Sequence, residues 1–128
     1  MTLWQLLQKD YIPSSELWKE MWIKASKRDD VWNWVPIDKV RIKKIKTDKS
    51  LFDFQNEVDE KQVRYMIENF EEEVWQPIHI NQDYFLLDGQ HRLNLACRTG
   101  MKYIDVIMEK KKDPEVSKRI RAEIKRKE

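Results

Sequence analysis

A chain of 128 residues is one domain's worth of sequence, long enough to bury a single core. Hydrophobic residues make up 41% and charged residues 38%, the balance of a small, heavily charged soluble domain. No run approaches the ~18 apolar residues of a membrane span, and the start lacks a basic region followed by an apolar stretch, so the expectation is a cytoplasmic protein with no membrane role.

The lone cysteine, Cys97, cannot form an internal disulfide, which fits a reducing compartment. Its helical surroundings predict a small buried hydrophobe. Net charge is only +2, but it is unevenly placed. Lys39, Arg41, Lys43, Lys44, Lys46 and Lys49 form one basic stretch. Another runs from Lys110-Lys111-Lys112 through Arg119 to Lys127, and Glu71-Glu72-Glu73 is the acidic counterweight. Basic runs can track a phosphate backbone, making Lys43, Lys44, Lys46, Lys111 and Arg119 the candidate nucleic-acid contacts. Interleaved Glu109, Glu115, Glu123 and Glu128 favour a solvated face for the terminal run.

In chain order, residues 3–9 and 15–28 read as helices. Pro13-Ser14-Ser15 supplies the start signal of the second, and Glu16 suits its first turn. Leu17, Trp18, Met21, Trp22 and Ala25 form a helical stripe. Four of the six tryptophans lie within 18–34, with Trp4 upstream. Their spacing favours an aromatic mini-core; a base-stacking platform or protein-contact patch is the alternative. Residues 34–46 read as extended, and 47–57 as a charged loop carrying Phe52 and Phe54. Asp59 caps a helix, with Gln62 placed as in a capping box. Val63, Met66, Ile67 and Phe70 form its amphipathic face.

Two short strands follow, 78–80 and 84–87, joined by a turn at 81–83. A helix is predicted over 91–99, stopped by Gly100, then a strand over 103–108. Asp113-Pro114-Glu115 opens a last helix whose Val116, Ile120 and Ile124 make only a narrow stripe. The predicted fold is a small α+β domain with a mixed sheet. It comprises a helical, aromatic-rich extension (1–33), the domain proper (34–108) and a basic C-terminal helix or tail (109–128). Oligomerisation is expected, if anywhere, through 1–33 or 109–128.

The chemistry concentrates at Asp88-Gly89-Gln90-His91-Arg92, where a strand turns into a helix. Only two glycines occur, and Gly89 falls at this junction. The first turn of a helix offers unpartnered N–H groups and partial positive charge to an anion. Arg92 adds a planar cationic fork, His91 a titratable donor, and Gly89 permits close approach. Asp88 acting simply as helix cap is the structural alternative.

From Gln76 to Met108 the chain reads Gln-Pro-Ile-His-Ile, a Tyr-Phe-Leu-Leu strand, Asp-Gly-Gln-His-Arg-Leu-Asn-Leu-Ala, Gly100 and Ile104-Asp105-Val106-Ile107. This resembles the core of the ParB/sulfiredoxin superfamily, and Val35-Pro36-Ile37-Asp38-Lys39-Val40 is similar to that domain's opening strand. The resemblance covers about 34–108 and is nearest to Asp-Gly-Gln-His-Arg members of plasmid, phage and DNA-modification type. It implies a nucleoside triphosphate (ATP or CTP, with Mg²⁺ as a possible companion) over Gly89, Gln90, His91 and Arg92. Phe54-Gln55-Asn56-Glu57-Val58 occupies the place of a Tyr-Gln-Arg-Pro-like segment; Gln55 matches as a phosphate contact, whereas Asn56 replaces the arginine.

The resemblance implies several activities. Gln90 stands where sulfiredoxins carry their catalytic cysteine, which argues against sulfinic-acid reduction. Chromosome-partition members continue into helix-turn-helix and dimerisation domains for which this length leaves no room, so action with a DNA-binding partner or through its own basic stretches is expected. A nucleotide-switched or DNA-associated module is the favoured reading. A small-molecule phosphotransferase resembling free-serine kinases is the alternative, with Asp48, Asp53, Glu57 or Asp88 as the orienting carboxylate and His91 as its companion. Nuclease activity has less residue-level support, because Asp88 lacks an acidic neighbour.

Overall fold

The computed structural model describes residues 1–47 and 58–112. It begins with helix α1 (Leu3–Leu7), where Thr2 and Gln5 cap reciprocally. Helix α2 (Glu16–Arg28) leads into strand β1 (Trp32–Arg41) and a 3-10 turn at Ile42–Lys44. Helix α3 (Glu60–Glu68), a 3-10 turn at Glu72–Val74, strands β2 (Ile78–Asn81) and β3 (Leu86–Asp88), helix α4 (Gln90–Arg98) and strand β4 (Tyr103–Lys111) complete it.

The four strands lie in the order β1-β4-β2-β3. β4 is central, antiparallel to β1 and parallel to β2, while β3 returns antiparallel along β2. The parallel pairing of β2 with β4 requires a crossover, and α4 supplies it. The sheet is therefore mixed, and the α+β expectation holds.

Alternation along β4 divides its side chains between two faces. Ile104, Val106 and Met108 join Ile78 and Ile80 of β2, Val63 of α3, and Leu95 and Ala96 of α4 in the main core. Leu6 and Ile12 are fully buried in the same cluster, each contributing about 1.5–3 kcal/mol by removal from water. The N-terminal segment is thus part of the core rather than an appendage.

On the other face Asp105 is only 1% exposed. One carboxylate oxygen accepts the Tyr11 hydroxyl at 2.6 Å and the Lys39 N–H at 2.9 Å. The second accepts the Ser14 N–H and hydroxyl, each at 2.7 Å, with the Lys19 ammonium 3.6 Å away. To present its N–H, Lys39 takes a left-handed conformation (φ 56°) at a register shift between Ile37 and Val40. Burial alone would raise the Asp105 carboxyl, but the hydrogen bonds from Tyr11, Ser14 and Lys39 outweigh it and hold it below its ordinary value.

Several boundaries differ from the sequence expectation. α1 stops at Leu7 rather than at 9. β1 starts at Trp32 and ends at Arg41, with residues 42–44 coiling instead of continuing the strand. β3 begins only at Leu86. β4 runs to Lys111, because Trp32, Asn33 and Trp34 pair with Lys111, Lys110 and Glu109. The predicted α2 stripe is rotated: Leu17 and Met21 are exposed, while Lys19 and Ser26 are buried. The cause is polar, since Lys19 turns inward to Asp105 and Asp38 and the Ser26 hydroxyl accepts the Trp34 N–H at 2.7 Å. Cys97 is exposed, not buried, because α4 turns Leu93, Leu95 and Ala96 to the core. The predicted loop 48–57 and the predicted helix from Asp113 lie outside the described residues.

Asp105→Asn keeps the shape but removes the charge that collects these donors. It should cost about 3 kcal/mol or more, read as a lower urea midpoint. Because the folded carboxyl lies below its ordinary value, its stabilisation is complete above about pH 3.9 and is lost as pH falls through the folded value. An unchanged midpoint in the variant would contradict the hub role.

Candidate functional site

Asp88 ends β3, and Gly89 takes φ 102°, ψ 27° as the residue capping α4. The capping position therefore belongs to Gly89, not Asp88, and no side chain among the described residues satisfies the N–H groups of the first turn. Glycine is required twice over. The backbone is left-handed, and a β-carbon would stand 2.7 Å from Ile78 Cγ2 and 2.9 Å from Arg92 Nη2. The close approach made possible here is that of β2 and of the Arg92 fork itself.

Arg92 lies in this first turn with its side chain 19% exposed. Nη1 donates to Gln76 Oε1 at 3.2 Å, and Nη2 lies 3.9 Å from Asp88 Oδ2, an ion pair too long for a hydrogen bond. Its buried Nε has no partner among the described residues. Burial holds the guanidinium below its ordinary value, with Asp88 opposing. An anion at the helix start would relieve that desolvation.

His91 does different work from that expected. Its Nε2 accepts the Asp59 N–H at 3.1 Å, while the Asp59 carboxylate accepts from Lys61 N–H (3.0 Å) and Gln62 N–H (3.4 Å). In a capping box the residue at the Gln62 position would reach back to that N–H; here His91 of α4 takes it instead. The bond fixes an acceptor at Nε2 and leaves the proton on Nδ1. It ties the start of α4 to the start of α3, and the Arg98–Glu60 ion pair ties them again further along.

Sequence reasoning missed His79 and Gln76. His79 is the β2 residue paired with Asp88, and its ring meets Trp22 edge-on at 4.5 Å between centroids. Trp22 in turn packs on Trp34 at 5.6 Å, so part of the tryptophan set does form an aromatic mini-core. Burial pushes the His79 imidazole below its ordinary value, against the pull of Asp88 and with the push of Arg92. The available signal was β-alternation, which places His79 on the face opposite Ile78 and Ile80.

Of the other candidates, Gln90 is half-buried at the start of α4. Gln55 and Arg119 lie outside the described residues. Lys43 and Lys44 are exposed on the 3-10 turn. Lys46 bridges to Phe85 through its backbone, its ammonium 5.3 Å from that ring. Lys111 closes β4 opposite Trp32, a strand residue and far in sequence from the 43–46 group.

No protein-family model and no curated protein matches the sequence. Similarity appears among solved structures. A pNOB8-like ParB N-domain matches with a TM-score of 0.50 and 22% identity, over 61% of this chain and 28% of that chain. The C2221 form of a Pnob8-like ParB-N domain matches at 0.47 and 21% identity, over 66% of this chain and 32% of that chain. The fold is that of a ParB-like N-terminal domain. No helix among the described residues is long and apolar enough to cross a membrane.

Gly89→Ala should destabilise by more than about 1 kcal/mol, since both φ and the Ile78 contact oppose a β-carbon. For His79 the folded imidazole is the depressed one, so its stabilisation is complete above about pH 6.5 and is lost as pH falls toward the folded value. Unfolding followed across that window should show a decline that His79→Gln flattens.

Proposed function

We propose that this chain is a nucleotide-binding, DNA-associated ParB-like module, with the phosphates of a nucleoside triphosphate seated on the first turn of α4. The observation that carries the reading is the helix start left without a side-chain cap, joined to Arg92, whose buried Nε has no partner among the described residues. Backbone N–H groups and the dipole favour the anion, and Arg92 gives planar contacts to phosphate oxygens. Gln90 and His91 flank the same turn. ATP and CTP both suit this chemistry, because the features described address phosphate rather than base.

The donor set fits phosphate better than metal. Among the described residues no group of three carboxylate, histidine or cysteine side chains is placed to hold an ion. A Mg²⁺ would be held chiefly by the phosphates, with Asp88 beside them as carboxylate. Asp88 faces Arg92 rather than a second carboxylate, so binding, not hydrolysis or transfer, is the activity proposed. Lys44 and Lys46 are the residues proposed to meet DNA or a DNA-binding partner.

Thermal unfolding with ATP, CTP, GTP and ADP, with and without Mg²⁺, tests the reading. At ligand near 100 times Kd, stabilisation of about 2.7 kcal/mol is expected, seen as a rise in Tm. Arg92→Ala should abolish that rise. No shift with any nucleotide at millimolar concentration would refute the phosphate site. Salt-sensitive DNA binding weakened by Lys44→Ala and Lys46→Ala would support the DNA association.

A further inference from the structure

A strip of surface that starts beside the Arg92 hollow, which Glu71 and Val74 also line, and runs away from it carries three kinds of chemistry in order. At one end Glu71, Glu72 and Glu73 are exposed on a 3-10 turn beside exposed Val74. At the other, Arg41, Lys43 and Lys102 rim a hollow of about 400 Å³ floored by Ile42, Met101 and Tyr103. None of these six charged side chains has an ion-pair partner among the described residues.

Helix α1 connects the two ends. Trp4, Gln5, Gln8 and Lys9 line a cleft together with Glu72. Just past the helix, the Asp10 carbonyl accepts the N–H groups of Lys102 at 2.8 Å and Tyr103 at 3.1 Å. The outer side of α1 is apolar, with Leu3 52%, Trp4 72% and Leu7 50% exposed. Clustered exposed apolar side chains with a charged rim are the mark of an association surface.

We infer that this strip is a two-fold interface with a second copy of the same chain. The order acid, apolar, base is self-complementary under a two-fold axis passing through α1. Such an axis sets Trp4 and its neighbours against their equivalents. It also lays Glu71–Glu73 of each copy at the cationic hollow of the other, giving two identical contacts. A nucleic-acid strand fits poorly, because the acidic end repels it and the exposed side of α1 is chiefly apolar. An anionic membrane surface meets the same repulsion. Lys44 and Lys46 lie outside the hollow and remain free for the contacts proposed above.

Sedimentation equilibrium of the full chain tests this. The expected result is a monomer–dimer equilibrium that weakens with salt. Trp4→Ser should weaken self-association about tenfold or more while leaving circular dichroism unchanged, and the unfolding midpoint unchanged at concentrations where both chains are monomeric. Two charge-reversal variants give the sharper test, one with Glu71, Glu72 and Glu73 changed to Lys, the other with Arg41, Lys43 and Lys102 changed to Glu. Each alone should be monomeric, and mixing them should restore a dimer of one of each. A wild-type chain that stays monomeric at high concentration overturns the inference. Dimers that survive both reversals, or a mixture that stays monomeric, overturn it equally. If the chain is monomeric and DNA binding is lost with the Arg41, Lys43 and Lys102 variant, nucleic acid occupies the hollow and the inference falls.

Discussion

A carboxylate buried beneath a sheet must gather donors or give up its charge, and Asp105 gathers them from three separate stretches of chain. Tyr11 and Ser14 bring in the N-terminal segment, Lys39 bends β1, and Lys19 turns α2. None of these is close to residue 105 in sequence. The network explains features that local propensity opposes: an inward-facing lysine on α2, a non-glycine residue with positive φ, and a helix stripe turned from its apolar register. Hydrogen bonds to a desolvated charge are directional, so the hub specifies how the segments sit, while the apolar core on the other face supplies the bulk of burial.

The same division places the candidate site. β2 and β4, parallel at the sheet's centre, force the crossover through β3 and α4, and the turn at Gly89 is where that crossover starts. Ile78 and the Arg92 guanidinium both crowd the place a β-carbon would take at this glycine. Gln76, the residue before Pro77, holds Arg92 from the segment that enters β2. The fork is therefore positioned by the sheet as much as by its own helix. His91 is positioned by α3, and its role is to join two helix starts, a task its residue type alone does not announce.

The sequence made the elements legible wherever a local period governed them. Val63, Met66, Ile67 and Phe70 mark α3, and the core takes that face. The Gly89 junction was legible because glycine is rare here and lies between strand and helix patterns. What was hidden depended on partners distant in the chain. Asp105 reads as one polar residue within a strand, and His79 as one ring between two isoleucines. Glu109, Lys110 and Lys111 read as a charged tail, although β1 pairs with all three. Cys97 lies in a helical pattern whose buried side is chosen by packing rather than by its neighbours.

The central place of β4 also governs how the chain acquires its structure during synthesis. Every sheet contact of β1 is made to a strand that emerges roughly sixty to eighty residues later, from the pairing of Arg41 with Tyr103 to that of Trp32 with Lys111. Until then β1, with its tryptophans and its open hydrogen-bonding edge, has no sheet partner to join. Pairings of such long separation in sequence form slowly, and unpaired edges are exposed to aggregation in the interval. Pro36 within β1, with Asp38, Lys39 and Arg41 toward its far end, is the kind of feature that discourages such an edge from pairing with other chains.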